Sequence, residues 1–357
     1  MSNNSYIIYR YEMQELNKPF VLVESVSPEI KLDEALVKVA GCGVCHTDIG
    51  FWHNGVRTKK ILPLTLGHEI SGIVLEGPDH LIGKNVIIPA VLPCGECELC
   101  KKGRSNICQN QLMPGNDFHG GFASHIVVPY RNLCVVPDKV LENYSLQQLA
   151  VVADAISTPY QVMKKSELEP GDLAIIVGVG GVGIYGAMLV VIFGAKVIAI
   201  DIDDAKLEKA KLNGVHAVIN SMDLSVKEIK AKVKTLAGEL NTSPYGWKIF
   251  EMSGSIAGQE LAFNLITYAS VLSIVGFTMN KLELRLSNLM AFDAKLVGTW
   301  GCKPELYPDV VELIASGKLK INDFVELFPM SEINKVFENT LSHQYTKRSV
   351  LVPDFEN

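Results

Sequence analysis

Four cysteines stand at spacings that suit a single metal ion: Cys94, Cys97, Cys100 and Cys108, the first three within CGECELC. Four thiolates close a tetrahedral shell around zinc and leave no position for a substrate, so the expected role is structural. An iron–sulfur cluster or disulfides are the alternatives for such a group. A second set is more dispersed. Cys45 lies in GCGVCHTDIG and His68 in LGHEISG, with Thr47, Asp48 and Glu69 beside them. A lone Cys and a lone His are more often core residues than ligands. Yet these are the soft and borderline donors zinc takes, and a catalytic zinc needs three protein ligands and one exchangeable position.

A further charge is out of place. LAVVADAIST, residues 149–158, is apolar or small almost throughout, with Asp154 in its middle. A bare carboxylate in such a run is costly to bury, so it must be neutralised, paired or bound to a metal.

The third candidate is a phosphate cradle. GVGGVG, from Gly178 through Gly180, Gly181 and Val182 to Gly183, follows a strand and opens a helix. Glycines there allow a tight turn and let the backbone approach a pyrophosphate held at the positive end of the helix. Asp201 ends the next strand, where a carboxylate accepts from both ribose hydroxyls and repels a 2′-phosphate. No Arg follows in DIDDAK, so NAD is expected over NADP.

These groups need elements to hold them. With 357 residues the chain is too long for one ordinary core, and 48% apolar against 20% charged residues excludes disorder. The start is β-rich, with short runs such as ALVKVAG, SGIVLEG and SHIVVPY between Gly, Pro and Asn. From about Pro170 strands and helices alternate: DLAIIVG, KVIAID, DDAKLEKAKLNG, SVKEIKAKVKTLAGEL, WKIFEMSG and SVLSIVGF. That alternation predicts a doubly wound parallel sheet, an α/β Rossmann domain. After about residue 295 come two helices, YPDVVELIASGKL and MSEINKVFENTL, and a closing strand, RSVLVP. The net charge is −6 with no basic stripe, so nucleic acid is not an expected partner. Leu173 to Ala195 is uncharged and long enough to cross a bilayer, but it reads as strand, turn and helix, so no membrane span is expected. The N-terminus has no secretion pattern, and grouped cysteines in such a chain read as metal ligands, which implies a cytoplasmic protein.

Taken together, GCGVCHTD, GHEISG, the four-cysteine lobe (about 93–110) and GVGGVG followed by Asp201 resemble the zinc-dependent medium-chain alcohol dehydrogenases, in that family's order along essentially the whole chain. The resemblance implies a GroES-like β-rich catalytic domain at 1–155, an NAD-binding Rossmann domain at 156–294, and a return to the catalytic domain at 295–357. It implies a catalytic zinc on Cys45 and His68 with Glu69 close by, a second, structural zinc, and a homodimer or homotetramer. Thr47 is then the hydroxyl that passes the substrate proton, and Asp48 the partner of a zinc ligand. The family's third ligand, usually Cys, precedes a TxY pattern. Here DAISTPY puts Asp154 in that place, with Thr158 and Tyr160 matching. The family's His after the Thr-Asp pair is missing, its place taken by Ile49 and Gly50, so the proton is expected to leave through water or Glu69.

AVVADA, LMPGN, YGWKIFE, LMAFDAKLVGTWGC and YPDVV resemble more narrowly the 6-hydroxycyclohex-1-ene-1-carbonyl-CoA dehydrogenases of anaerobic aromatic-compound (benzoyl-CoA) degradation, which share the Asp and the Gly. That implies a CoA thioester substrate, oxidised by NAD from the 6-hydroxy to the 6-oxo form. A general secondary-alcohol or polyol dehydrogenase, or an enoyl-CoA conjugate reductase using the same hydride site, are the alternatives. Phe51, Trp52 and Trp300 are candidates for lining an apolar pocket, and Arg57, Lys59 and Lys60 for CoA phosphates. Cys134 and Cys302 are expected to be buried and inert.

Overall fold

The computed structural model describes residues 6–355. The chain divides into two compact units, one running to Ser157 and resuming at Gly301, the other Thr158–Trp300.

The first unit is built on a mostly antiparallel seven-stranded sheet. Its order is Val325–Pro329, Arg348–Val352, Glu34–Gly43, Glu69–Glu76, Asn85–Ile88 and Cys134–Val135, with His125–Pro129 also paired to Glu34–Gly43. A separate hairpin joins Ile7–Glu12 to Val21–Val26. The register sets Gly43 opposite Glu69 on one side and Val350 on the other, so three strands from distant parts of the chain meet at one point. One apolar core, including Phe20, Trp52, Phe122 and Phe337, fills this unit. Phe51 and Trp52 belong to that core, and the Trp52 ring packs against Phe20 and Phe337.

The second unit is a six-stranded parallel sheet. Numbered by position in the chain, its strands run third, second, first, fourth, fifth, sixth: Ala217–Asn220, Lys196–Asp201, Leu173–Val177, Lys248–Glu251, Val271–Ile274 and Lys295–Gly298. This is the doubly wound order, and LAIIV of Leu173–Val177 is buried at every residue, as a strand covered by helices on both faces must be. The span from Leu173 to Ala195 is thus strand, glycine turn and the helix Gly183–Ile192. Among the described residues no helix is long and apolar enough to cross a membrane. Helix starts carry their own caps: Asp203 for Asp204–Leu212, and Ser225 with Glu228 for Val226–Glu239.

The return to the first unit comes after Trp300 rather than at 295, because Lys295–Gly298 pairs with Val271–Ile274 as the sheet's sixth strand. Its exposed, edge position leaves little alternation in the sequence to mark it.

Candidate active site and metal centres

Cys45 ends the loop after Glu34–Gly43 and begins the helix His46–Trp52. His68 immediately precedes Glu69–Glu76. Asp154 closes a short helical turn, Gln148–Ala153, that is buried throughout apart from its first residue. The fold brings Cys45, His68, Glu69 and Asp154 together so that one ligand atom of each lies within 4.8 Å of all the others. Asp154 Oδ2 is 3.8 Å from Cys45 Sγ and 3.8 Å from His68 Nε2. A tetrahedral zinc would separate such atoms by about 3.4–3.6 Å, given its bond lengths. Thiol, imidazole and carboxylate are zinc donors, and they stand where one ion can touch all three.

Asp48 organises this cluster. It is wholly buried, and its Oδ2 accepts from Cys45 N at 2.9 Å while Oδ1 accepts from Gly67 N at 3.1 Å. One carboxylate thereby ties the Cys45 loop to the His68 loop. His68 Nδ1 faces the same oxygen at 3.4 Å. Burial lowers the His68 pKa, but Asp48, Asp154 and Cys45 outweigh it and hold the imidazole well above its ordinary value. Thr47 Oγ1 lies 3.7 Å from Cys45 Sγ, at the edge of the donor set.

Glu69 is not a free acid. Arg348 donates from Nε to Glu69 Oε2 at 3.0 Å and from its terminal nitrogen to Oε1, and both residues are buried. Burial pushes the Glu69 carboxyl above its ordinary value, and Arg348 opposes that rise without cancelling it. The register explains the room for this pair: a Cβ on Gly43 would lie 2.1 Å from Glu69 Oε2, so only glycine fits. With both oxygens held, Glu69 is a poor exit for a proton, and the expectation that the proton leaves through it does not suit the geometry. Arg348 is a site residue the sequence does not disclose, because it follows Lys347 at the start of RSVLVP and reads as a solvated strand end.

Cys94, Cys97, Cys100 and Cys108 also form one group within 4.8 Å. Their sulfurs stand 3.4 Å apart for Cys94 and Cys108, 3.5 Å for Cys97 and Cys100, and 3.7 Å for Cys97 and Cys108. All are unbridged, which sets disulfides aside. Amides point at the sulfurs, Cys97 N at Cys94 and Asn110 N at Cys108. Backbone hydrogen bonds lower the Cys94 thiol to about 6, whereas burial pushes Cys100 up to about 12. The short lobe holds four thiols in a tetrahedral spread, as a structural zinc requires.

In the second unit the glycine turn leaves Leu173–Val177. Gly178 adopts φ +89°, and a Cβ there would strike Ser253. Gly183 packs with no room, since its Cβ would lie 1.9 Å from Gly178 O. Gly180 differs: a Cβ there would meet nothing within 4 Å. That leaves open space beside the start of Gly183–Ile192, at the end of a helix that favours an anion. Asp201 Oδ2 accepts from Val179 N at 2.8 Å, and Oδ1 from Ile202 N and Asp203 N. The carboxylate therefore fixes the turn. Asp203, not Asp201, caps the following helix.

The remaining candidates stand outside both donor sets. Lys59 is paired with Asp117 at 2.7 Å, and Arg57 is exposed. Cys42, Cys134 and Cys302 are buried, and burial raises the pKa of each thiol.

Fold and donor sets define a zinc-type, dinucleotide-dependent oxidoreductase. Comparison with known proteins gives the family. Residues 31–138 match the alcohol dehydrogenase GroES-like domain, and residues 181–316 match the zinc-binding dehydrogenase domain. An alcohol dehydrogenase of Geobacillus stearothermophilus is 30% identical over 96% of this chain and 98% of its own. The chain belongs to the zinc-dependent medium-chain alcohol dehydrogenase superfamily. Among solved structures, galactitol-1-phosphate dehydrogenase from Escherichia coli superposes with a TM-score of 0.86 at 24% identity, covering 97% of this chain and 100% of that one. Acetophenone reductase from Geotrichum candidum, solved with NAD, gives 0.83 at 24% identity, covering 97% of each chain. The protein is an oxidoreductase acting on CH–OH groups with NAD or NADP, and its architecture is a GroES-like domain joined to a Rossmann domain.

Proposed function

We propose that this dehydrogenase oxidises a secondary alcohol with NAD, and that the alcohol is a cyclic hydroxyacyl-CoA, 6-hydroxycyclohex-1-ene-1-carbonyl-CoA, converted to its 6-oxo thioester. The observation that carries the reading is Asp154 among the zinc donors, 3.8 Å from Cys45 Sγ and His68 Nε2, where the wider family has cysteine. The motifs around it match those dehydrogenases, including Gly50 where other alcohol dehydrogenases have histidine.

Cys45, His68 and Asp154 would hold the catalytic zinc, and Cys94, Cys97, Cys100 and Cys108 a structural one. Bound there, zinc would lower the pKa of a substrate hydroxyl and a nicotinamide would take up the carbinol hydride. Two electrons and one proton leave the carbinol carbon as hydride, and the hydroxyl proton leaves separately. Thr47 accepts that proton and passes it to water. Asp48 keeps Cys45 and His68 in place, and Glu69 stays engaged by Arg348. Asp201 holds the turn, accepts from the ribose hydroxyls and disfavours a 2′-phosphate, which selects NAD.

A homodimer or homotetramer accompanies this reading. The edge strand Lys295–Gly298 has exposed apolar residues near it in sequence, with Met290 80% and Trp300 50% exposed, a pattern that a second copy would cover. Thiol clusters that must stay reduced to bind metal favour the cytoplasm.

The test is NADH formation with 6-hydroxycyclohex-1-ene-1-carbonyl-CoA, its free acid and cyclohexanol side by side. Turnover confined to the thioester supports the proposal. Turnover of simple alcohols with no preference for the thioester overturns the CoA part and favours a general secondary-alcohol or polyol dehydrogenase.

A further inference from the structure

Asp154 is carried on a peptide group held from three sides. Its plane is defined by the Ala153 carbonyl, and that oxygen is the meeting point of three donors. Tyr307 donates its hydroxyl to it, Ser157 Oγ donates at 3.2 Å, and the Ala90 amide donates at 3.4 Å. The Ala90 amide also lies 3.3 Å from Tyr307 Oη, so the groups form a closed cluster. Tyr307, Ser157 and Ala153 are all fully buried. They come from separate parts of the first unit: Tyr307 opens the helix Tyr307–Ala315, Ala90 follows the strand Asn85–Ile88, and Ser157 lies just past the ligand.

Backbone carbonyls have two lone pairs and ordinarily take one or two donors, so three converging on one buried carbonyl is a concentration of polar groups at a single peptide. Peptide planarity transmits the effect. Fixing the Ala153 oxygen fixes the Asp154 nitrogen and Cα in the same plane. This matters more for aspartate than for cysteine. A cysteine sulfur is set by one side-chain torsion, whereas a carboxylate oxygen needs two, so its position is less determined by its own side chain. The backbone at Asp154, with φ −143° and ψ −55°, lies outside regular helix, so the helical turn before it does not define it either.

We infer that Tyr307 is a positioning residue for the Asp154 ligand: with Ser157 and the Ala90 amide it clamps the peptide that presents the carboxylate to the metal. This rests on the reading of Asp154 as a zinc ligand. Tyr307 itself touches neither substrate nor cofactor in this role. It acts as the groups behind metal ligands do, by orienting the ligand, and removing such a group typically weakens metal affinity by about 10–100-fold.

The experiment uses the full-length zinc-loaded protein. Tyr307→Phe keeps the ring and removes only the hydroxyl. Zinc per chain is measured against increasing chelator, and cobalt(II) exchange separates the sites, since a site with one thiolate absorbs differently from one with four. The expected result is loss of catalytic-site metal at about tenfold or more lower chelator, an altered cobalt spectrum at that site, and an unchanged four-cysteine site. Wild-type retention and spectrum in Tyr307→Phe overturn the inference, even where the thermal midpoint falls, because the tyrosine would then be structural only. Should Tyr307→Phe give no soluble protein, Ser157→Ala decides the question on the same readouts. Asp154→Ala distinguishes the underlying reading. If that protein keeps catalytic-site zinc, Asp154 is not a ligand; if it loses the zinc while Tyr307→Phe and Ser157→Ala keep it, the clamp alone fails.

Discussion

Arg348 holds both carboxylate oxygens of Glu69 from across the strand Glu34–Gly43, 279 residues away along the chain, and both residues are buried. Glycine at 43 lies between their strands and leaves the space they meet in. Glu69 is thereby a fixed charge beside the metal donors rather than an acid or base.

Removing one partner leaves the other charge buried and unpaired. Arg348→Met is expected to destabilise the first unit by about 3–5 kcal/mol. The double variant Glu69→Gln, Arg348→Met should recover more than half of that loss, since no lone charge remains. Denaturant unfolding of the single and double variants measures it. Equal losses in both would mean the arginine acts through packing alone.

The glycine turn separates folding from binding. Gly183→Ala would place a Cβ against Gly178 O, so the turn must shift and the protein should lose stability. A Cβ at Gly180 enters open space, so Gly180→Val should leave the unfolding midpoint within about 0.5 kcal/mol of wild type. Its side chain would occupy the pyrophosphate space, and NADH binding followed by fluorescence should weaken at least tenfold. A Gly180→Val protein that binds NADH normally would show that the dinucleotide does not lie over this turn.

His119 gives a pH dependence away from the metals. Thr65 N donates to its Nδ1 at 3.1 Å, so the folded site wants the neutral ring. Burial, then Arg10 and Lys60, lower its pKa to about 4, with Glu12 opposing them. The unfolded ring has its ordinary value near 6.5. Between these values the unfolded chain binds more protons, so the contribution is complete above about 6.5 and is lost as pH falls toward 4. The ring is partly exposed and solvent-screened, so the loss should be about 1–2 kcal/mol. His119→Gln should be less sensitive to acid across that window, measured as the change in denaturation midpoint between pH 7 and pH 5. Parallel pH curves for the two proteins would assign the acid sensitivity elsewhere.

What the sequence discloses and what it hides follow from separation along the chain. The four-cysteine lobe and the glycine turn are local, and their spacing alone implies their geometry. Asp154 is legible as a charge in an apolar run, but its facing Cys45 and His68 depends on chain folding across 109 residues to the former. Arg348 carries no such signal, because it follows Lys347 at the edge of its apolar run and its partner lies on another strand. Tyr307 gives no signal, since a buried tyrosine looks like core until its hydroxyl is seen on Ala153. The strand Lys295–Gly298 is missed for a related reason: an exposed edge strand does not show the buried run that marks its parallel neighbours.

The four-cysteine lobe offers a test that the two metal sites are independent. Its ligands all fall between Cys94 and Cys108, and none belongs to the Cys45, His68 and Asp154 set. The stretch has few apolar residues of its own, so a bound metal would supply much of its folding energy. Cys97→Ser removes one thiolate from the shell. The expected protein holds one zinc per chain, keeps the cobalt signature of the one-thiolate site, and unfolds about 5–10 °C lower, which corresponds to a loss of a few kcal/mol. Metal analysis and a thermal melt of the same sample check both parts. Loss of both ions would mean that the lobe supports the catalytic donors through Ala90, which sits a few residues before Cys94 and contacts the Tyr307 hydroxyl.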